Sequence, residues 1–119
     1  MLEKVIQRLL QLGYQPTESD NSTIEYCIGV IEQYIKNFCN VREITEAMEY
    51  IECDMVCGEF LQFKRATGQL NVEQIVSSVN LGDMSVSFGG MSNTECMDLI
   101  ISNIKNKDGE LICFRTLRL

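Results

Sequence analysis

Histidine is missing from this chain altogether. Its absence removes the commonest general acid or base and the commonest metal ligand in one step. Proline is almost missing as well: Pro16 is the only one in 119 residues, and with 45% hydrophobic residues this excludes a disordered composition. Positive charge is in short supply. Ten Lys and Arg against seventeen Asp and Glu leave a net charge of −7, whereas a dedicated nucleic-acid-binding domain usually carries a basic footprint. The acidic balance points instead to protein partners or to solubility. No apolar run approaches the ~20 residues needed to cross a bilayer, so no membrane association is expected. No secretion signal stands ahead of the helices, and synthesis in the cytosol is expected.

Cysteine, by contrast, is plentiful: Cys27, Cys39, Cys53, Cys57, Cys96 and Cys113. They sit inside apolar helical patterns, and Cys53 and Cys57 are four apart, not a CxxC pair. The expected state is a set of buried, reduced thiols that pack as small hydrophobes. Metal or redox chemistry is the alternative.

The length suits one domain, residues 1–119, with a core of its own. The stretch from Ile44 to Gln69 organises it. Ile44, Ala47, Met48, Ile51, Met55 and Gly58 recur at spacings of three and four, which stacks them along one side of a helix. Cys53, Val56, Phe60 and Phe63 fall on the other side, and a helix apolar on two sides is covered on two sides. Thr45 is the expected cap, and Gly68 the left-handed residue that closes the helix. Gly58, costly inside a helix, suggests a close helix crossing.

Before it, Leu2 to Leu12 reads as a short helix stopped by Gly13, with Leu2, Ile6, Leu9 and Leu10 on one side. Tyr14 to Asn21 reads as a loop. Ser22 and Glu25 match a capping box, with Asp20 as a rival cap. Ile24, Ile28, Ile31, Ile35 and Phe38 then form a stripe that runs to about Asn40. The short link that follows predicts an antiparallel pairing with the central helix.

After Gly68 the period changes. Met84, Val86 and Phe88 alternate with Ser85 and Ser87, and Asn80 to Asp83 supply a turn, which predicts a β-hairpin over 74–88. Val72 to Ser78 reads equally well as a helical turn. Ser92 to Glu95 is a further capping box, opening a fourth helix with Met97, Ile100, Ile101 and Ile104 inward until Asp108 and Gly109 break it. The expected fold class is therefore mainly α, a bundle of about four helices, with one β-hairpin between the third and fourth. The tail 110–119, apolar with Arg115 and Arg118, either closes the core or extends to a partner.

The pattern offers little chemistry. Asp54 is the unusual polar placement, beside the buried stripe of the central helix. It is read as paired with Lys64, Arg65 or backbone amides, or as an ion pair to another subunit. Glycines 82, 89 and 90 form neither GxGxxG nor a P-loop. No catalytic residue, cofactor site or metal site is assigned, and the chain is not expected to be an enzyme.

Four segments in order carry a likeness: Tyr34 to Val41 (YIKNFCNV), Asp54 to Leu61 (DMVCGEFL), Gly82 to Phe88 (GDMSVSF) and Phe114 to Leu119 (FRTLRL). Together they resemble the head-tail connector, or adaptor, proteins of tailed bacteriophages and prophages. The resemblance spans nearly the whole chain. It implies a structural virion protein assembled as a homo-oligomeric ring, commonly a dodecamer, at the virion neck after assembly in the host cytoplasm. It also implies partners: the portal protein on one side, tail, stopper or neck proteins on the other, and DNA passing through the lumen without specific binding. On this likeness Phe114, Arg115, Leu117 and Arg118 would reach into the portal, and Leu81, Gly82, Asp83 and Met84 would meet neighbouring subunits or the next ring. Asp108 and Gly109 depart from the family, which often continues as helix there. An acidic lumen would repel phosphate and let DNA slide. Two other readings stand beside this one: a small acidic phage-encoded regulator that binds a host nucleic-acid-processing protein, and the collar protein of a headless tail-like particle.

Overall fold

A computed structural model describes residues 1–70, 75 and 93–114. Four helices dominate them: α1 (Leu2–Gln11), α2 (Asn21–Cys39), α3 (Glu46–Ala66) and α4 (Asn93–Lys105). A four-residue helix, Asp108–Leu111, and a single 3-10 turn, Ile112–Phe114, follow.

α3 is the hub, touching α1, α2, α4 and the short helix. Ten of its residues are buried, from Met48 to Leu61, and they point in every direction around the axis. The two apolar faces expected from the sequence are thus both covered. Paired positions give the relative directions. Lys4 meets Glu49 and Arg8 meets Asp54, so α1 runs parallel to α3. Ser22 and Cys27 line a recess with Glu59 and Phe63, while Glu32 and Lys36 line one with Glu49 and Glu52, so α2 runs antiparallel. Lys105 lies beside Gly58 and Asp98 pairs with Arg65, so α4 is antiparallel as well.

Local chemistry explains the ends. Gly13 and Gly68 take positive φ (93° and 73°) after α1 and α3, and Asn40 takes φ 56° as the C-cap of α2. Asparagine tolerates this left-handed region better than most side chains. Thr45 caps α3 in extended geometry, without a side-chain hydrogen bond. α2 starts earlier than the Ser22 capping box implies. The reciprocal cap is instead Thr17 with Asp20, which closes a 3-10 turn over Glu18–Asp20 and feeds directly into the helix. α1 is also rotated from the expected side. Val5, Leu9 and Leu12 are buried, while Leu10 is 52% exposed.

The hairpin is corrected. The described residues contain no strand, and Ile75, the one described residue inside the expected hairpin, is helical and buried in the core. A lone two-stranded hairpin is marginal in water, whereas a helical turn that sinks an isoleucine into the helical core gains apolar burial at once. Positions 74 and 76–88 otherwise lie outside the described residues. The described fold is mainly α, with no β component.

Gly58 marks where α4 crosses α3. A methyl group there would lie 2.9 Å from Lys105 Cβ and 3.2 Å from Ile104 Cγ1. Gly58→Ala should gain helix propensity yet lose about 1–3 kcal/mol overall through overpacking. Urea unfolding followed by circular dichroism reads the difference, and a stabilised variant would show that the crossing has slack.

Candidate functional site

The sequence-assigned positions separate in space or fall outside view. Leu81, Gly82, Asp83, Met84, Arg115, Leu117 and Arg118 lie outside the described residues. Phe114 is half-buried and packs against the chain's own core. Asp54 does pair, but with neither Lys64 nor Arg65. Its Oδ1 accepts from Arg8 Nε at 2.9 Å, and its Oδ2 lies 3.9 Å from Lys107 Nζ, tying α1 and the link after α4 to the hub. Lys64 is occupied by Asp20 at 2.9 Å, and Arg65 by Asp98. Both are too far along α3 to share Asp54's turn.

The described surface carries one apolar stripe of note. Tyr26, Val30 and Tyr34 follow each other at four-residue spacing along α2, with Tyr26 73% exposed. Tyr34 stacks on Phe38 with ring centroids 5.9 Å apart, and its hydroxyl donates to Asp108. Between this stripe and α3 and α4 lies a cavity of about 390 Å³, lined by Val30, Tyr34, Met55, Glu59, Ser102 and Lys105 among others. Phe63 of α3, 48% exposed, extends the apolar surface towards Tyr26. The sequence placed Phe63 on a covered face. It sits, with Val30 and Tyr34, just past the edge of what the bundle covers.

On the far side, α1, α2 and α3 enclose a recess of about 350 Å³ with an acidic wall. Its floor includes Glu52, only 3% exposed. Burial first, and then the nearby carboxylates of Glu32 and Glu49, push the Glu52 carboxyl up to about 7, against the opposing pull of Lys36 and the amino terminus. The signal for this residue was in the sequence. Glu52 lies four positions from Met48 and four from Val56, squarely on the buried helical spacing.

The sign of its effect is definite. A carboxyl raised in the folded state contributes stability that is fully present below its unfolded value, near 4.5, and lost as pH rises through about 7. Glu52→Gln stays neutral throughout. Its gain over the parent should therefore be close to zero at pH 4 and grow to on the order of 2–3 kcal/mol at pH 8. Chemical denaturation at both pH values tests this, and a pH-independent gain would contradict it.

The five described thiols are as expected. Cys27, Cys39, Cys53, Cys57 and Cys96 are all buried and outside any disulfide, and burial pushes Cys27 up to about 11. Cys57 lies 3.8 Å from the Val5 carbonyl, a weak S–H donor to the backbone of α1. Among the described residues, no group of three His, Cys, Asp or Glu is placed to hold a metal ion, and no helix is long and apolar enough to cross a membrane. No family model matches the chain, and neither a curated protein nor a solved structure shows significant similarity to it.

Proposed function

We propose that this chain is a structural, non-enzymatic subunit of a ring, a connector between the portal and the tail or neck proteins of a tailed phage or prophage particle. The observation that carries the reading is the ordered likeness of Tyr34 to Val41, Asp54 to Leu61, Gly82 to Phe88 and Phe114 to Leu119 to connector proteins. The exposed Tyr26, Val30 and Tyr34 stripe supports it, because apolar surface of this kind marks a face that a partner covers. So does the acidic balance, which suits a channel that passes DNA without holding it.

In this reading the self-contacts use α2, and the portal contact begins beyond Phe114, with Arg115, Leu117 and Arg118, since Phe114 is half-buried against its own core. Asp54, already held by Arg8, remains a candidate for a further ion pair between subunits only if Lys107, at the longer distance, yields its place. The test is imaging of assembled particles with the chain labelled, backed by cross-linking. Label at the neck and cross-links to the portal are expected. Particles that contain the chain nowhere near the neck, or that lack it, would overturn the reading.

A further inference from the structure

The acidic recess between α1, α2 and α3 has a feature that the connector reading does not use. Lys4 is committed to Glu49 and Lys36 to Glu32 at 3.3 Å. Glu43 and Glu52, which line the same recess, have no ion pair among the described residues. Glu52 is also without a hydrogen-bond partner there, although only 3% of it is exposed. Among the described residues no side-chain oxygen is both sealed from solvent and without a partner, so the carboxyl of Glu52, which has none, opens onto the recess, a cavity large enough to admit a side chain.

We propose that this recess is a binding site for one guanidinium group, seated on Glu52 and flanked by Glu43. The planar fork of a guanidinium offers paired donors to a carboxylate. With Glu52 ionised, three positive groups line the recess, Lys4, Lys36 and the amino group of Met1, against four carboxylates, so one bound cation balances the charge. A metal ion is the poorer fit, because no three acidic or thiol ligands converge among the described residues. The inference does not depend on the connector reading.

Binding is linked to protons. The groups facing Glu52 are Glu32 and Lys36 from α2, Glu49 from α3, Lys4 and the amino terminus from α1, and Glu43 from the connecting loop. The empty site favours neutral Glu52, and a bound cation favours the carboxylate. Affinity therefore rises with pH, by roughly tenfold or more between pH 5 and pH 8.

The experiment is calorimetric titration of the full chain with N-acetylargininamide against matched NaCl, at pH 5 and pH 8, and at pH 7 in two buffers of different ionisation heat. Saturable binding that tightens with pH and releases protons at pH 7 is expected, with at least a tenfold loss in Glu52→Gln and a smaller one in Glu43→Gln. Glu52→Gln is expected to fold at least as well as the parent, so its loss would report the site. Binding no stronger than NaCl, equal binding by Glu52→Gln, or no proton release would each overturn the proposal. Sedimentation separates the sources of the group: binding to a monomer indicates a free ligand, while self-association dispersed by N-acetylargininamide indicates an arginine from a second copy.

Discussion

Asp20→Ala should cost the protein about 3–5 kcal/mol at pH 7, the range for removing one partner of a buried ion pair. Asp20 is 4% exposed, and four donors converge on it: Lys64 Nζ at 2.9 Å, the Tyr14 hydroxyl at 2.8 Å, the Thr17 amide at 3.0 Å and the Thr17 hydroxyl at 3.3 Å. Burial alone would push its carboxyl up. Lys64, Thr17 and Tyr14 together outweigh that and hold it below the usual carboxylate range. Its own burial first, and then the same contact, raise Tyr14 well above the ordinary phenol value. Removing the carboxylate leaves the Lys64 ammonium, half-buried, with Gln69 at 2.8 Å as its one remaining hydrogen-bond partner among the described residues. It also strips the reciprocal cap from the turn that starts α2. Because the folded value is depressed, the contribution is present above about pH 4 and is lost as pH falls further. Urea unfolding at pH 7 and below pH 4 should show a large gap that narrows with acid. A loss under 1 kcal/mol at pH 7 would mean that the pair is not held.

Phe60→Ala should be as damaging, at about 3–5 kcal/mol, with a fall in thermal midpoint on the order of 10–20 °C. Phe60 is completely buried, and Tyr14 meets it edge-on, with ring centroids 5.4 Å apart at 74°. Lys64 Nζ stands 5.9 Å from the ring centre on its way to Asp20. The ring is thus the floor on which the Asp20 corner rests. The two substitutions should not add, since each already loosens the other's partners. A double-mutant cycle by differential scanning calorimetry reads that coupling, and strict additivity would separate the corner from the core.

Much of this arrangement could be read from residue order. The spacing of Ile24, Ile31 and Ile35, and of Met97, Ile100 and Ile104, gave two helices and their inward faces. Gly13 and Gly68 marked two ends because only a residue free of a Cβ takes their φ without strain. The failures have physical causes. Two capping signals overlap near Ser22, and the pattern does not say that Asp20, while capping with Thr17, also satisfies Tyr14 and Lys64. Valine and serine over 72–78 fit a strand or a helical turn equally, and of these residues Ile75 alone is described, helical and buried. Asp54 was legible as an odd placement, but its partners Arg8 and Lys107 come from opposite ends of the sequence. Glu52 was overlooked because an acidic residue in an apolar stripe reads as solvated, when the stripe itself was the clue.

The bare backbone at Gly58 has a kinetic consequence. α4 reaches α3 only after a long intervening stretch of chain has been closed, whereas α1, α2 and α3 follow one another directly. Closing the longer loop costs more entropy, so the seating of α4 is a late event on the way to the native state. A side chain added at that bare spot should therefore speed the escape from the native state and leave the rate of reaching it nearly untouched.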